Sequence, residues 1–306
     1  MNKKLATIPL NFGGLLGEQS RWEDSQVVFI PVLYDLTSTY LPGSRRGPLA
    51  ILEASTHMEL FDEEFGIDTS HVGFHTLEPL EAVASGPEAM VRQIQAYAQK
   101  VIRAKKFPVL IGGEHTVSLG MARAIKEKYP DVSFLQLDAH ADLRNSFEGT
   151  SWSHACVGRR LMELGPLVQV GIRSLSQEEN SLLKKGGVTS FFWHRLPDFP
   201  DWVERVCRAL SPEVYVTIDL DVLDPAVMPS VGTPEPGGFR WPDLIQFLRR
   251  IAREKRIVGF DVVELAPIPG LIAPDFLAAK LIYRFLGAII TLSPGHKNLP
   301  KRRKGE

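Results

Sequence analysis

The stretch FLQLDAHADLR, residues 134–144, ends an apolar run with three ligand-type side chains at two-residue spacing: Asp138, His140 and Asp142. Side chains two apart on a strand point to the same face, so a strand through this stretch would direct all three toward one spot. Two carboxylates and an imidazole at one spot suit a divalent cation. We therefore expect a metal site at the end of this strand.

A second apolar run ends in the same way, in EVYVTIDLDVLDP at residues 213–225, where Asp219 and Asp221 lie two apart. Strand-like runs alternate with helical patterns along the whole chain, near residues 26–32, 71–75, 108–113, 133–138, 167–172, 188–192, 213–218 and 256–261. This alternation predicts an α/β fold with a mostly parallel sheet that helices cover on both faces. Ligands of such sheets bind beyond the carboxyl ends of the strands, where the pattern puts these side chains: His115, Asp138, His140, Asp142, Asp219, Asp221 and Glu264.

The composition is that of a globular protein of 306 residues, with 44% hydrophobic and 23% charged content. No linker-like segment separates the strands, so we predict one domain over residues 26–292, an N-terminal arm over 1–25 and a basic tail over 293–306. A formal charge of −1 gives no reason to expect nucleic acid or an anionic membrane as a partner, and no apolar run is long enough to span a bilayer. Two cysteines, Cys156 and Cys207, cannot form a disulfide framework, which fits a reducing cytoplasm.

Each of the candidate residues has an ordinary structural explanation when it is taken alone. His115 could bond backbone at a helix start, His140 could be a satisfied core histidine, and the aspartates could cap turns. Together these explanations fail, because four carboxylates at neighbouring strand ends would repel one another unless a cation lay among them. Two divalent ions would balance four aspartates, and ligation without thiolate favours Mn²⁺, with Co²⁺, Ni²⁺ and Zn²⁺ left open.

Other catalytic arrangements have less support. Cys156 near His154 could be a cysteine nucleophile, but a small, partly buried cysteine is more common, and the aspartates would then have no role. The sequence contains no GxSxG, no P-loop and no GxGxxG after a strand. Acyl hydrolase, NTPase and dehydrogenase functions therefore lack support.

Three segments resemble the signature regions of the ureohydrolases, the arginase and agmatinase family: GGEHT at 112–116, DAHAD at 138–142 and TIDLDVLDPAVMPSVGTPEPGG at 217–238. The resemblance implies a three-layer αβα sandwich with an eight-stranded parallel sheet, commonly assembled into homotrimers or homohexamers. It also implies two manganese ions per subunit. The first would be held by His115, Asp138, Asp142 and Asp219, and the second by His140, Asp138, Asp219 and Asp221.

The same resemblance implies roles in catalysis. Two bound cations would lower the pKa of a shared water, and the hydroxide would attack the guanidinium carbon to release urea and an amine. Asp142 corresponds to a carboxylate that passes a proton to the leaving nitrogen, Glu264 to one that holds the guanidinium, and His154 to a proton-shuttling histidine at the cleft mouth. Without the resemblance, Glu264 would be a surface residue before a turn and His154 a loop histidine.

The loop LRNSFEGTSWSHAC, residues 143–156, is more similar to agmatinases than to arginases. The resemblance thus implies a small cationic substrate, agmatine, and its hydrolysis to urea and putrescine, a step of polyamine biosynthesis. Asn145 and Ser146 leave arginine open, and guanidinobutyrate, guanidinopropionate and guanidine are further alternatives. Glu148 could repel the carboxylate of arginine, although a solvated loop position is its simpler explanation. A catalytically inactive scaffold is the non-enzymatic alternative.

Overall fold

The structure, a computed structural model, describes residues 10–295; residues 1–9 of the predicted arm and 296–306 of the predicted tail lie outside the described residues. The strands are β1 (Val27–Leu33), β2 (Phe61–Asp62), β3 (Ile67–Asp68), β4 (Phe74–Thr76), β5 (Leu80–Glu81), β6 (Phe107–Ile111), β7 (Ser133–Leu137), β8 (Leu167–Ile172), β9 (Val188–Phe192), β10 (Glu213–Asp219) and β11 (Arg256–Val263). The helices are α1 (Gly47–Ser55), α2 (Pro87–Arg103), α3 (Ser118–Lys128), α4 (Val157–Leu164), α5 (Gln177–Lys185), α6 (Trp202–Ala209), α7 (Trp241–Glu254) and α8 (Ala273–Leu292).

Eight parallel strands form one sheet in the order β4-β1-β6-β11-β10-β7-β8-β9, and the two-residue β5 adds a ninth strand beside β1. The predicted α/β fold with about eight mostly parallel strands is confirmed. The strand expected at 71–75 begins only at Phe74, because Gly73, with a φ of 76°, ends a 3-10 turn just before it. The antiparallel pair β2 and β3 lies outside this sheet, and its two-residue strands are too short to leave an alternation in the sequence.

The order of the strands in the sheet differs from their order in the chain, and this difference positions the site. The chain runs outward from β7 to β9 and then returns to insert β10 and β11 between β6 and β7. The carboxyl ends of β6, β11, β10 and β7 therefore lie side by side at the middle of the sheet. Reversals of this kind open the crevices in which α/β proteins bind ligands.

Side chains of the strands alternate between two hydrophobic cores. Val27 and Phe29 of β1 belong to the core that includes residues of α1, α6, α7 and α8, whereas Val28 and Ile30 belong to the core with α2, α3, α4 and α5. Because helices cover both faces, the strands are apolar at nearly every position. The three-layer αβα prediction is confirmed.

Both described ends of the chain pack on this domain. Phe12, in the predicted arm, is fully buried and stacks on Phe29 with ring centroids 4.3 Å apart. Ser293 donates to the carbonyl of Lys255 at 2.8 Å and accepts from the N–H of Ile257 at 3.2 Å. The domain boundaries stay a prediction. None of the helices between residues 10 and 295 combines the length with the apolar character that a membrane span needs.

Candidate metal centre and cleft

The predicted site residues lie at the carboxyl ends of the four central strands. β10 ends at Asp219, β7 ends one residue before Asp138, and β11 ends one residue before Glu264. His115 follows β6 after the turn Gly112–Gly113, at which the backbone passes very close to a neighbouring loop. A Cβ added to Gly113 would lie 2.0 Å from a backbone oxygen of that loop, so the turn requires glycine.

Four of the predicted ligands form a group that we call the enclosed cluster: His115, Asp138, Asp142 and Asp219. Nδ1 of His115 lies 3.1 Å from Oδ2 of Asp138, 3.3 Å from Oδ2 of Asp219 and 3.4 Å from Oδ2 of Asp142. The imidazole is 1% exposed, and its Nδ1 has no hydrogen-bond partner. A buried nitrogen that makes no hydrogen bond and faces three carboxylate oxygens fits a cation held by all four atoms.

The second group, which we call the open cluster, consists of His140, Asp138 and Asp221. Nδ1 of His140 lies 2.8 Å from Oδ2 of Asp221 and 3.7 Å from Oδ1 of Asp138. Asp138 thus takes part in both clusters, one oxygen in each. Oδ2 of Asp219 faces the enclosed cluster, while its Oδ1 accepts the N–H of Asp221 at 2.9 Å. The structure brings all six predicted ligands into two adjacent clusters.

A chain of buried hydrogen bonds orients His115. Oγ1 of Thr217 donates to Oδ1 of Asp261 at 2.7 Å and lies 2.9 Å from Nε2 of His115. Because the threonine proton goes to the carboxylate, the threonine oxygen accepts Nε2–H from the ring. The lone pair of Nδ1 is then directed at the three aspartates, as a metal ligand requires.

Backbone contacts hold the open cluster. Oδ1 of Asp221 accepts the N–H of Ala139 at 2.9 Å, which joins the two segments that carry the predicted ligands. The guanidinium of Arg173 donates to the carbonyls of Asp221 at 2.6 Å and Glu235 at 3.0 Å. Arg173 therefore fixes the loop after β10, a role that no sequence pattern indicated.

Asp138, His140 and Asp142 lie close together, as predicted. The reason that we gave for this, side-chain alternation along one strand, is wrong. β7 ends at Leu137, so strand alternation does not extend through the three residues. Asp142 has a φ of 52°, in the left-handed region that a non-glycine residue adopts at a cost. This backbone conformation, and not a strand, turns the Asp142 carboxylate toward His115.

Without metal, each cluster consists of closely spaced aspartates around one histidine, and these groups shift the pKa values of one another. Burial, followed by the charge of Asp138, raises the pKa of Asp142 to about 7, and burial with the charges of Asp221 and Asp138 raises the pKa of Asp219 well above its usual range. Burial alone would favour neutral histidines, but the aspartates raise the pKa values of His115 and His140 well above the usual range. Divalent cations would replace these protons.

A cleft of about 310 Å³ opens beside the clusters, and His115, Asp142, Asp219 and Glu264 form part of its wall. Glu264 is not the surface residue of the simpler interpretation, because one of its oxygens accepts the N–H of His115 at 2.6 Å. Burial, and then the charge of Glu114, raises the pKa of Glu264 to about 8. Glu148 is exposed and absent from the cleft wall, which agrees with a solvated loop position.

His154 also lines the cleft, and it lies edge-on to the ring of Phe147, with centroids 5.9 Å apart. Burial, with positive charge on His115 and His140, lowers the pKa of His154 to about 4, so the imidazole is neutral near pH 7. Cys156 is fully buried, and burial raises its thiol pKa to about 11. A protonated, buried thiol does not support the cysteine-nucleophile alternative.

Several residues of the cleft wall were not predicted individually from the sequence. The loop between β1 and α1 supplies Ser38, Thr39, Tyr40 and Leu41, and Arg144 lies over the ring of Phe147 with its guanidinium carbon 5.0 Å from the centroid. Glu114, next to His115 in GGEHT, binds this loop. Its presence inside a signature segment was the one signal that could have identified it.

Comparisons with known proteins agree with this geometry. Residues 25–287 match the sequence profile of the Arginase family. An N(1)-aminopropylagmatine ureohydrolase of Thermus thermophilus is 42% identical, over 87% of this chain and 91% of the relative. An agmatinase of Bacillus subtilis is 34% identical, over 83% of this chain and 88% of the relative.

A solved structure shares the fold. The crystal structure of the agmatine ureohydrolase of Thermoplasma volcanium superposes with a TM-score of 0.82 at 30% identity, covering 94% of this chain and 95% of that one. The similarity extends over almost the whole chain, including all the segments that carry the two clusters.

Proposed function

The chain belongs to the arginase family and is a hydrolase of guanidino C–N bonds, and we propose that it is a dinuclear-manganese enzyme that releases urea from agmatine or its N(1)-aminopropyl derivative. Family and reaction class follow from the similarity. The metal, the residue roles and the substrate are our proposal.

The convergence of His115 Nδ1 with three carboxylate oxygens carries the proposal. The enclosed cluster would hold one ion. His140, Asp138, Asp219 and Asp221 would hold the other. When bound, the two ions would lower the pKa of water and so supply a nucleophile near neutral pH.

Glu264 is proposed to hold the guanidinium group. One of its oxygens accepts the N–H of His115, and its own N–H donates to the carbonyl of Gly113 at 2.7 Å. These two bonds fix a left-handed backbone, with a φ of 70°, and leave the other carboxylate oxygen for the substrate. A guanidinium beside this buried carboxylate would favour its charged form.

Asp142 and His154 are proposed to move protons. Asp142 belongs to the enclosed cluster and also lines the cleft, so it can pass a proton to the leaving nitrogen. His154 lies in the cleft wall as a neutral imidazole, which can accept a proton at the site and exchange it with solvent.

We infer the part of the substrate beyond the guanidinium group from the similarity of this chain to its relatives. The loop over residues 143–156 predicts agmatine, and the identity of 42% to the Thermus thermophilus aminopropylagmatine ureohydrolase, against 34% to the Bacillus subtilis agmatinase, favours the longer derivative. A second candidate is guanidinobutyrate, because the guanidinium of Arg144 in the cleft wall could pair with a carboxylate tail. Assembly into a homotrimer or homohexamer stays a prediction.

Urea release from four compounds with Mn²⁺ tests the proposal: N(1)-aminopropylagmatine, agmatine, arginine and 4-guanidinobutyrate. We expect kcat/KM for the first two to exceed that of the carboxylates by about a hundredfold, with the aminopropyl compound first. Arg144→Gln should lower the rate with guanidinobutyrate only if Arg144 binds a carboxylate. A higher kcat/KM for arginine or guanidinobutyrate would contradict the proposed tail.

A further inference from the structure

We propose that Glu114 is a positioning residue that fixes the tautomer of His154 through the hydroxyl group of Thr37, with the ring proton on Nδ1 and an unprotonated Nε2 on the cleft side. The proposal rests on the proposed function only for the proton-transfer role of His154. Glu114 is not among the proposed ligands and has no role in the proposed reaction.

Glu114 is a completely buried carboxylate that has partners on the loop between β1 and α1. Its Oε2 accepts the N–H of Thr37 at 2.7 Å, and its Oε1 accepts the hydroxyl of Thr37 at 2.6 Å. Oε2 also accepts the hydroxyl of Ser38 at 3.3 Å. A carboxylate is buried at high cost unless such donors surround it, so these contacts fix the loop and its hydroxyl groups.

The hydroxyl of Thr37 has one proton to donate and two lone pairs with which to accept. The proton goes to Glu114. The backbone N–H of His154 donates to the same oxygen at 3.2 Å, and Nδ1 of His154 faces it at 3.3 Å. Because the hydroxyl has no proton left to donate, it can bind Nδ1 only by accepting Nδ1–H. The other ring nitrogen, Nε2, is then the free base.

The same arrangement of acid, threonine and histidine orients His115. There Asp261 takes the proton of Thr217, and the threonine oxygen binds Nε2 of the ring. The nitrogen left free is Nδ1, which faces the aspartates. In both cases a buried carboxylate takes the threonine proton, and this decides which ring nitrogen is available for chemistry.

Ser153 could favour the other tautomer of His154. Oγ of Ser153 lies 3.3 Å from Nδ1 of His154, and it accepts the N–H of Ala155 at 3.4 Å, so its own proton could be donated to the ring. That bond would put the ring proton on Nε2. The two arrangements therefore predict opposite tautomers.

Nitrogen-15 NMR of the full chain, labelled on its histidine rings and loaded with diamagnetic Zn²⁺, distinguishes them. Comparison with His154→Asn identifies the His154 signals of the wild type. These signals should show a protonated Nδ1 and an unprotonated Nε2. Thr37→Ala and Thr37→Ser form a matched pair, since both remove the methyl group and only the first removes the hydroxyl. Thr37→Ala and Glu114→Gln should shift the ring toward a tautomer mixture, whereas Thr37→Ser and the control Ser153→Ala should keep the wild-type pattern.

Kinetics of the same variants with Mn²⁺ give a second readout. We expect Thr37→Ala to lower kcat about tenfold, as for a misoriented proton-transfer group, with KM and metal content near the wild-type values. Thr37→Ser should recover most of this loss. Equal losses for the alanine and serine variants would indicate a packing role and would overturn the proposal.

Three other results would also overturn it: a ring proton on Nε2 in the wild type, no tautomer change in Thr37→Ala, or a change in Ser153→Ala. If Glu114→Gln does not fold, the comparison of Thr37→Ala with Thr37→Ser still tests whether the threonine hydroxyl fixes the tautomer. Full activity of His154→Asn would refute only the proton-transfer role of His154 in the proposed function, because the NMR measurement does not depend on turnover.

Discussion

The enclosed and open clusters share Asp138 but differ in their surroundings. His115, at the centre of the enclosed cluster, is 1% exposed and faces three carboxylates, whereas the side chain of His140 is 24% exposed and has Asp221 at 2.8 Å as its closest carboxylate. Buried hydrogen bonds hold the first ring, while the second lies beside the more exposed Glu235. If each cluster binds a cation as proposed, we expect the cation of the enclosed cluster to be held more tightly than the cation of the open cluster.

The largest effect is expected from Asp138→Ala, because this residue has one oxygen in each of the two clusters. We expect the variant to bind neither ion and to lose about 10⁴-fold in kcat, since removal of both ions removes the source of the nucleophile. Metal analysis after Mn²⁺ reconstitution checks the stoichiometry. Retention of one tightly held ion would show that the clusters do not depend on a shared carboxylate.

A smaller effect is expected from Asp221→Asn, which changes the open cluster only. The bound metal should fall from two ions to about one, with a loss of activity of roughly a hundredfold or more. Asp224→Asn is the matched control, since Asp224 lies in the same loop and its Oδ1 accepts the N–H of Ala226 at 2.8 Å. If Asp221→Asn kept both ions, Asp221 would not be a ligand.

The smallest expected effect is a pH dependence of the metal-free protein that arises mainly in the enclosed cluster. The pKa of Asp142 is raised to about 7 in the folded chain, so the stability it contributes is present below its unfolded pKa of about 3.9 and is lost as the pH rises through 7. The raised pKa values of Asp219, His115 and His140 act in the same direction.

Thermal unfolding of the protein from which a chelator has removed the metal should therefore give a Tm roughly 5 °C lower at pH 8 than at pH 5. The Mn²⁺-loaded protein should lose less over this range, because the cations offset the charge of the aspartates. Asp142→Asn should flatten the slope of the metal-free protein. A metal-free protein that is more stable at pH 8 than at pH 5 would contradict this account of the enclosed cluster.

The strands of the main sheet were predictable because each is buried on both faces and is therefore an almost continuous apolar run. β5 and the pair β2 and β3 were missed, since two residues cannot show a pattern. The six candidate ligands and Glu264 were identified because they stand directly after such runs or inside the GGEHT, DAHAD and TIDLD segments. Their roles as ligands stay a proposal.

Other features of the site depend on contacts between distant parts of the chain. The left-handed conformation of Asp142 replaces the expected strand alternation, and no residue preference near it announces this. The hydrogen bonds from Thr37 to Glu114, and between Thr37 and His154, join three loops that are far apart in the sequence.

The chemistry proposed for this protein was predictable from local sequence, because side-chain types and their spacing specify which groups can bind cations and where strands end. How these groups are combined depends on the tertiary structure. The order β6-β11-β10-β7 sets four distant strand ends side by side, and Asp138 thereby comes to serve two clusters. Strand order and the direction of a hydroxyl proton arise from long-range packing and hydrogen bonding, which local sequence patterns do not encode.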